Sequence, residues 1–224
     1  MYSSPAVADG KVYVGSKDYN LYCLNAADGT LVWNYTTGNQ LTSSPAVANG
    51  TVFVGSHDKK VYALNVTNGV SMWNYTTGAT IWSSSPTVAD GKVYVGSNDK
   101  NVYCLNAATG ALIWNYTTGN WVNSSPAVAD GKIYVGADDN KMYCLNAATG
   151  AFIWSYTTGS IVWPSPAVAN GVVYVGSEDK KVYAFSAAPP IPEGFTIGVM
   201  LILSTIAVIA STSYFRKRPK WNGW

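Results

Sequence analysis

One stretch recurs along this chain and limits what it can become. SSPTVADGKVYVGSNDKNVYCLNAATGALIWNYTTG, Ser84 to Gly119, returns five times with few changes, the last copy incomplete. The prolines Pro5, Pro45, Pro86, Pro126 and Pro166 stand 40, 41, 40 and 40 residues apart. Trp33, Trp73, Trp114 and Trp154 keep the same beat, and the one extra residue falls in the Ser83–Ser85 run. A unit of this size cannot bury its apolar face alone, so each copy must find its core against a neighbour.

Within a copy the chain reads as four short strands. Ser-Pro-Ala-Val-Ala is brief and small in side chain. An Asp-Gly or Asn-Gly pair follows in every copy, at Asp9, Asn49, Asp90, Asp130 and Asn170. Both residues of that pair tolerate positive φ, which makes it a strong signal for a tight hairpin. Lys-Val-Tyr-Val-Gly-Ser then alternates and is rich in β-branched and aromatic residues. A polar turn brings an aspartate each time (Asp18, Asp58, Asp99, Asp139, Asp179). Val-Tyr-Cys-Leu-Asn makes a third strand. A turn ending at Gly29, Gly69, Gly110 or Gly150 leads to a fourth strand that carries the tryptophan. Four antiparallel strands per period of about 40 residues is the make-up of a β-propeller blade. The expected fold is all-β, a propeller of about five four-stranded blades, the fifth lacking its outer strand.

The same residues carry a family resemblance. SSPAV-DG-VYVGS, then VYALNA-TG, then a Trp, resembles the pyrroloquinoline-quinone-type repeat over about Ser3 to Ala187. The resemblance implies a propeller whose SSPAV strands line the central channel and whose outer tryptophans dock between blades. Propellers of this type are often closed by a strand from the opposite terminus. That strand would lie upstream of Met1, and the expectation is a longer natural chain with an export signal. Dehydrogenases of the family also carry a larger ring, a calcium site, a catalytic aspartate and a disulfide between adjacent cysteines. None of these has a counterpart here, so no quinone cofactor is expected.

Charge and cysteine usage narrow the function. The net charge is +2, and without Arg216, Lys217, Arg218 and Lys220 the remainder carries about −2. With no basic stripe on the repeats, a nucleic-acid partner is not expected. Nine Trp and 16 Tyr suit an all-β stack whose gaps are filled by ring faces. Cys23, Cys104 and Cys144 share one blade position, filled by Ala63 and Ala184 in the other copies. They read as small buried thiols, too far apart to bridge.

After the repeats come a proline-rich spacer at 188–194 and an apolar run without charge at 195–215. As a helix that run would span roughly 31 Å, the thickness of a bilayer core. The basic residues at 216–220 follow at once and should stay cytoplasmic, which puts the repeats (1–187) outside the cell and leaves a short cytoplasmic tail at 216–224. Ile191-Pro192-Glu193 with this helix and tail resembles the C-terminal anchors of archaeal exported proteins. Asn34, Asn49, Asn65, Asn74, Asn115 and Asn123 head Asn-x-Ser/Thr sequons, candidate glycosylation sites if the repeats are exported.

Catalysis needs titratable groups gathered in one cleft, and the sequence gathers few. The one histidine, His57, lies in the turn after the second strand, where other copies have Lys17, Asn98, Asp138 or Glu178. That slot reads as a solvated turn. No Cys or His pair has zinc spacing. The five repeated aspartates lie on separate blades and cannot converge on calcium, so they read as turn caps and no metal is expected.

Where copies agree, the residue builds the blade; where they differ, it is free for recognition. The segments before each Ser-Pro differ most: Asn39–Thr42, Ala79–Trp82, Asn120–Asn123 and Ser160–Trp163. They should share one rim and present Trp82, Trp121 and Trp163 as binding anchors. The reading is a non-catalytic surface module that binds or scaffolds a protein or polysaccharide, with self-association through the incomplete fifth blade. The alternative is an N-terminally truncated fragment of a quinone-dependent dehydrogenase-like enzyme.

Overall fold

The computed structural model describes residues 3–186; the spacer, the apolar run and the basic tail lie outside them. Among the described residues every regular element is a strand, and no helix is long and apolar enough to cross a membrane. The first sheet holds β1 (Ala6–Ala8), β2 (Lys11–Gly15), β3 (Asn20–Asn25) and β4 (Leu31–Thr36), in that order and antiparallel throughout. Three further sheets repeat the order with four strands, and a fifth has three, ending at Lys181–Ser186.

The hairpin turns form as their residues dictate. Asp9 and Gly10 have φ of 49° and 70°, and the other four Asx-Gly pairs match them closely. Both signs are those of a type I′ turn, whose twist suits the flanking strands.

The sheets fan about a hub. First strands of successive sheets approach each other, as β1 does the strand Ala46–Ala48. Small alanines allow that approach. The Ser-Ser-Pro motif ties it. In the first three pairs the first serine holds its own blade: Gly15 N donates to Ser3 Oγ at 3.1 Å, Gly55 N to Ser43 Oγ at 3.3 Å and Gly96 N to Ser84 Oγ at 2.8 Å. The second receives the preceding blade: Ser4 N donates to Ser44 Oγ, Ser44 N to Ser85 Oγ, Ser85 N to Ser125 Oγ and Ser125 N to Ser165 Oγ, at 2.8–3.1 Å.

The core lies between blades. Tyr13, Leu21, Cys23 and Trp33 of the first sheet pack on Val52, Val54, Tyr62 and Leu64 of the second, and the same pattern recurs at later gaps. The tryptophan locks the first three gaps: Trp33 Nε1 donates to Val66 O at 3.1 Å, Trp73 Nε1 to Ala107 O at 3.0 Å and Trp114 Nε1 to Ala147 O at 3.2 Å. Its ring lies so close to the next blade's Gly69, Gly110 or Gly150 that a Cβ there would meet it at 2.6–2.7 Å.

A bulge aims that ring. In β3 and β4 the pairing slips between Cys23 and Leu24, and the other four-stranded blades slip at the same place. Cys23 faces Trp33 but Leu24 faces Leu31, so Val32 is the extra residue. Strict alternation would bury Leu31 together with Trp33. The bulge turns Leu31 and Val32 outward and leaves Trp33 inward.

The repeated aspartate does more than cap its turn. Asp58 accepts from Lys60 N at 3.0 Å and from Tyr62 OH at 2.6 Å. It also accepts from Gly38 N of the preceding blade at 2.7 Å, and Asp99, Asp139 and Asp179 bind Gly78, Gly119 and Gly159 likewise. The cysteines are free and buried. Burial pushes the thiols of Cys104 and Cys144 up to about 11, as unreactive buried thiols require.

Two glycines of one blade separate crowding from backbone strain. A Cβ on Gly96 would lie 2.4 Å from Val122 Cγ1 and 2.5 Å from its carbonyl oxygen. At Gly91, φ is +69° but nothing lies within 4 Å. Gly96→Ala should cost about 2–3 kcal/mol by overpacking and Gly91→Ala about 1 kcal/mol by left-handed strain, read as shifts in urea midpoint. Equal shifts would contradict this packing.

Candidate functional site

Between successive blades the chain crosses back to the hub, and each crossing is wedged in place by one buried aliphatic: Leu41, Ile81, Val122 or Val162. Each lies against a glycine of the preceding blade (Gly15, Gly55, Gly96, Gly136) that leaves no room for a Cβ. Its backbone N–H donates to Ser16, Ser56, Ser97 or Ala137 O at 3.0–3.3 Å. The residue before it turns its carbonyl to the next blade. There His57 N donates to Gln40 O, Asn98 N to Thr80 O, Asp138 N to Trp121 O and Glu178 N to Ile161 O, at 2.9–3.0 Å.

These bonds set the variable turn residue beside the variable crossing, gap after gap. His57, Asn98, Asp138 and Glu178 therefore belong to the same rim as the tryptophans, and Lys17 joins them by lining a cavity with His57 and Trp82. In chain order they run from a cation, through an imidazole and an amide, to two carboxylates.

Trp82 and Trp163 follow their buried aliphatic, where other copies have Thr42 and Asn123; Trp121 precedes its own. From these different positions the three indoles line one cavity of about 410 Å³, together with Ser83, Asn98 and Asn123. They are 55 %, 50 % and 52 % exposed. Trp82 and Ser83 also wall a second cavity of about 560 Å³ that includes Lys17, Thr42 and His57.

His57 is not a solvated turn residue. Its ring stacks on Trp82 with centroids 4.9 Å apart, and Nε2 lies 2.7 Å from Thr42 Oγ1. The Thr42 hydroxyl donates its one proton to the Trp82 carbonyl, so Nε2 must carry the hydrogen and donate to Thr42. Burial, with a smaller contribution from the charge of Lys17, holds the imidazole pKa below its ordinary value of 6.5.

Asp138 is held differently. Its Oδ2 accepts from Asn123 Nδ2 at 3.0 Å, and the Trp163 indole N–H lies against the carboxylate. Burial nevertheless raises its pKa, helped by the charges of Glu178 and Asp139. The Oδ1 atoms of Asp138, Asn98 and Asn123 are buried without a donor. A buried unpaired acceptor costs about 1–3 kcal/mol, and here three gather at one place.

The sequence reading reached the tryptophans and passed over His57, Asn98 and Asp138. The signal was present, because their slot varies between an invariant Gly-Ser or Gly-Ala and an invariant Asp. What hid it was the hydrogen bond from the turn to a crossing segment 17 or 18 residues earlier in the chain.

The sequons are placed unequally. Asn34, Asn49, Asn74 and Asn115 are exposed, with the Nδ2 of Asn34 and Asn115 donating to the Oδ1 of Asn20 and Asn101 at 3.2 and 3.1 Å, and Asn65 is half-buried with its Oδ1 accepting from Thr67 N. Asn123 is 6 % exposed, and its Nδ2, the atom a glycan would need, is bonded to Asp138.

Among the described residues no group of three or more His, Cys, Asp or Glu could hold a metal ion. The rim cavity suits pyrroloquinoline quinone poorly. The carboxylates of Asp138 and Glu178 stand at this rim and would repel the cofactor's own carboxylates.

The family model described as outer membrane protein assembly factor BamB matches residues 2–81 and 74–189. No curated protein matches. Among solved structures, BamB from Moraxella catarrhalis is similar at 19% identity with a TM-score of 0.73, over 83% of this chain and 58% of that one. The computationally designed Ika8 protein is similar at 17% identity with a TM-score of 0.74, over 81% and 57%. Quinohemoprotein alcohol dehydrogenase ADHIIG from Pseudomonas putida HK5 is similar at 19% identity with a TM-score of 0.69, over 84% and 40%. The chain thus spans less than two thirds of each of these proteins. At such identities the likeness is one of fold, the β-propeller.

His57 offers a direct check on the site. With its pKa depressed, the folded state favours the neutral ring. Its contribution to stability should be full above about pH 6.5 and fall away as pH drops through the lowered pKa. Proton NMR of the one imidazole should show a midpoint below 6.5 in the wild type and one nearer 6.5 in Trp82→Ala, which uncovers the ring.

Proposed function

The chain belongs to the repeat family described as outer membrane protein assembly factor BamB, and from that premise we propose that it is a non-catalytic binding or scaffolding module whose ligand is gripped at the tryptophan rim. The observation that carries this reading is the gathering of Trp82, Trp121 and Trp163 round one cavity with unspent polar atoms. Half-exposed tryptophans are costly to leave in water and make strong anchors when covered. Everything that holds the blades together is repeated almost without change, and the rim is where the copies part company. The ligand is a protein or a polysaccharide. No enzymatic step is assigned to the chain.

The module is held at the cell surface. Residues 195–215 span the membrane once, 216–224 remain cytoplasmic, and the repeats stand outside, where the exposed sequons at Asn34, Asn49, Asn74 and Asn115 are open to glycosylation. The exposed face of the last sheet, with Val182 at 77 % and Tyr174 beside it, suits self-association.

Two experiments test the reading. Replacing Trp82, Trp121 and Trp163 together by Ala should abolish capture of surface components while leaving the β-sheet circular dichroism and melting unchanged; intact capture refutes the rim as the site. Protease added to whole cells should remove the repeats and spare an epitope placed after Trp224. Loss of that epitope with the repeats uncut would reverse the orientation.

A further inference from the structure

The rim cavity has a chemical character that singles out one kind of ligand group. Three indoles offer π-faces. The buried side-chain atoms without a partner at this rim are acceptors: Asn98 Oδ1, Asn123 Oδ1 and Asp138 Oδ1. Asn123 is nine-tenths buried and lines the cavity, and its amide nitrogen is already spent on Asp138. No unpaired donor accompanies them among the buried side chains at this rim. An acidic group only accepts and would meet acceptors at these buried atoms, whereas a group that only donates complements them. The carboxylates of Asp138 and Glu178 lie at the same end of the rim, close enough for each to feel the other's charge.

We propose that this cavity receives the guanidinium of an arginine side chain borne on a protein partner. The inference rests on the rim being the binding site. A guanidinium is planar and stacks on indole faces, where cation–π attraction adds about 0.5–2 kcal/mol. Its five N–H donors lie in one plane and can serve several acceptors there, where an ammonium offers three donors from a single atom. An ion pair with Asp138 completes the set. Each acceptor that a ligand donor satisfies recovers a penalty already present in the free protein. The adjoining cavity past Trp82 gives flanking residues of the segment a place to lie.

The test uses the full chain in detergent micelles and follows tryptophan fluorescence with three probes: the peptide Gly-Arg-Gly-Arg-Gly, its counterpart with Glu in place of Arg, and cellohexaose. The arginine peptide should quench saturably, the other two should not, and Asp138→Asn should weaken the arginine peptide at least tenfold. Trp121→Ala should weaken it as strongly, with Trp121→Phe restoring part of the loss and circular dichroism unchanged in all variants. If cellohexaose or the acidic peptide binds in a Trp121-dependent way and the arginine peptide does not, the guanidinium assignment is overturned while the rim remains a binding site. If no probe binds, or the arginine peptide binds Asp138→Asn and Trp121→Ala as well as wild type, the assignment is overturned and the rim reading loses its support as well.

Discussion

The tryptophan that leaves one blade and lands on the next is the contact on which the architecture depends. A single four-stranded sheet of this size has two apolar faces and no interior. Trp33, Trp73 and Trp114 close that deficit by covering the following sheet and giving their indole N–H to its backbone carbonyl. Truncating such a residue costs on the order of 3–5 kcal/mol, a large part of a domain's stability. Around this contact lie weaker ties that act at the two ends of each blade: the serine ladder at the hub, and the Asp–Gly bond at the turn. Together they set the angle between sheets, so the fan is uniform from blade to blade.

That uniformity is what makes the rim informative. A crossing segment anchored by one buried aliphatic and two backbone bonds can vary at its flanking positions without disturbing the wedge. So can the turn residue that donates to it, since only its backbone is used. Variation has accumulated there, and the polar atoms left unpaired at the rim accompany it. Of the four buried side-chain atoms without a partner among the described residues, three lie at the rim and the fourth is the Trp154 indole nitrogen; the rim is where local consistency is most relaxed.

The fold was largely legible from residues. Asp9-Gly10 and its counterparts could only be tight hairpins, and their positive φ values follow from their chemistry. Trp33 was readable as an inter-blade residue from its period. The slip between Cys23 and Leu24 was not, because Leu-Val-Trp offers three apolar residues in a row and alternation alone does not say which of them turns outward. Asp58 was legible as a turn cap, since its partners lie within four residues, but its bond to Gly38 spans 20 residues and two sheets. The rim shows the same division. Trp82, Trp121 and Trp163 were found because an indole is conspicuous in a variable segment. His57, Asn98 and Asp138 were passed over because a polar residue in a turn is ordinary until something is known to stand beside it.

By itself the sequence determined the number of units, the strands within each and the residues that could face a neighbour. A repeat period, turn chemistry and apolar alternation act over a few residues and need no partner to be read. Tertiary structure alone decided that indoles from two different positions of the crossing segment meet round one cavity, and that the acceptors of Asn98, Asn123 and Asp138 are left without donors there. Those facts depend on how neighbouring sheets are angled about the hub, and that angle arises from contacts between residues about 20 to 40 positions apart in the chain.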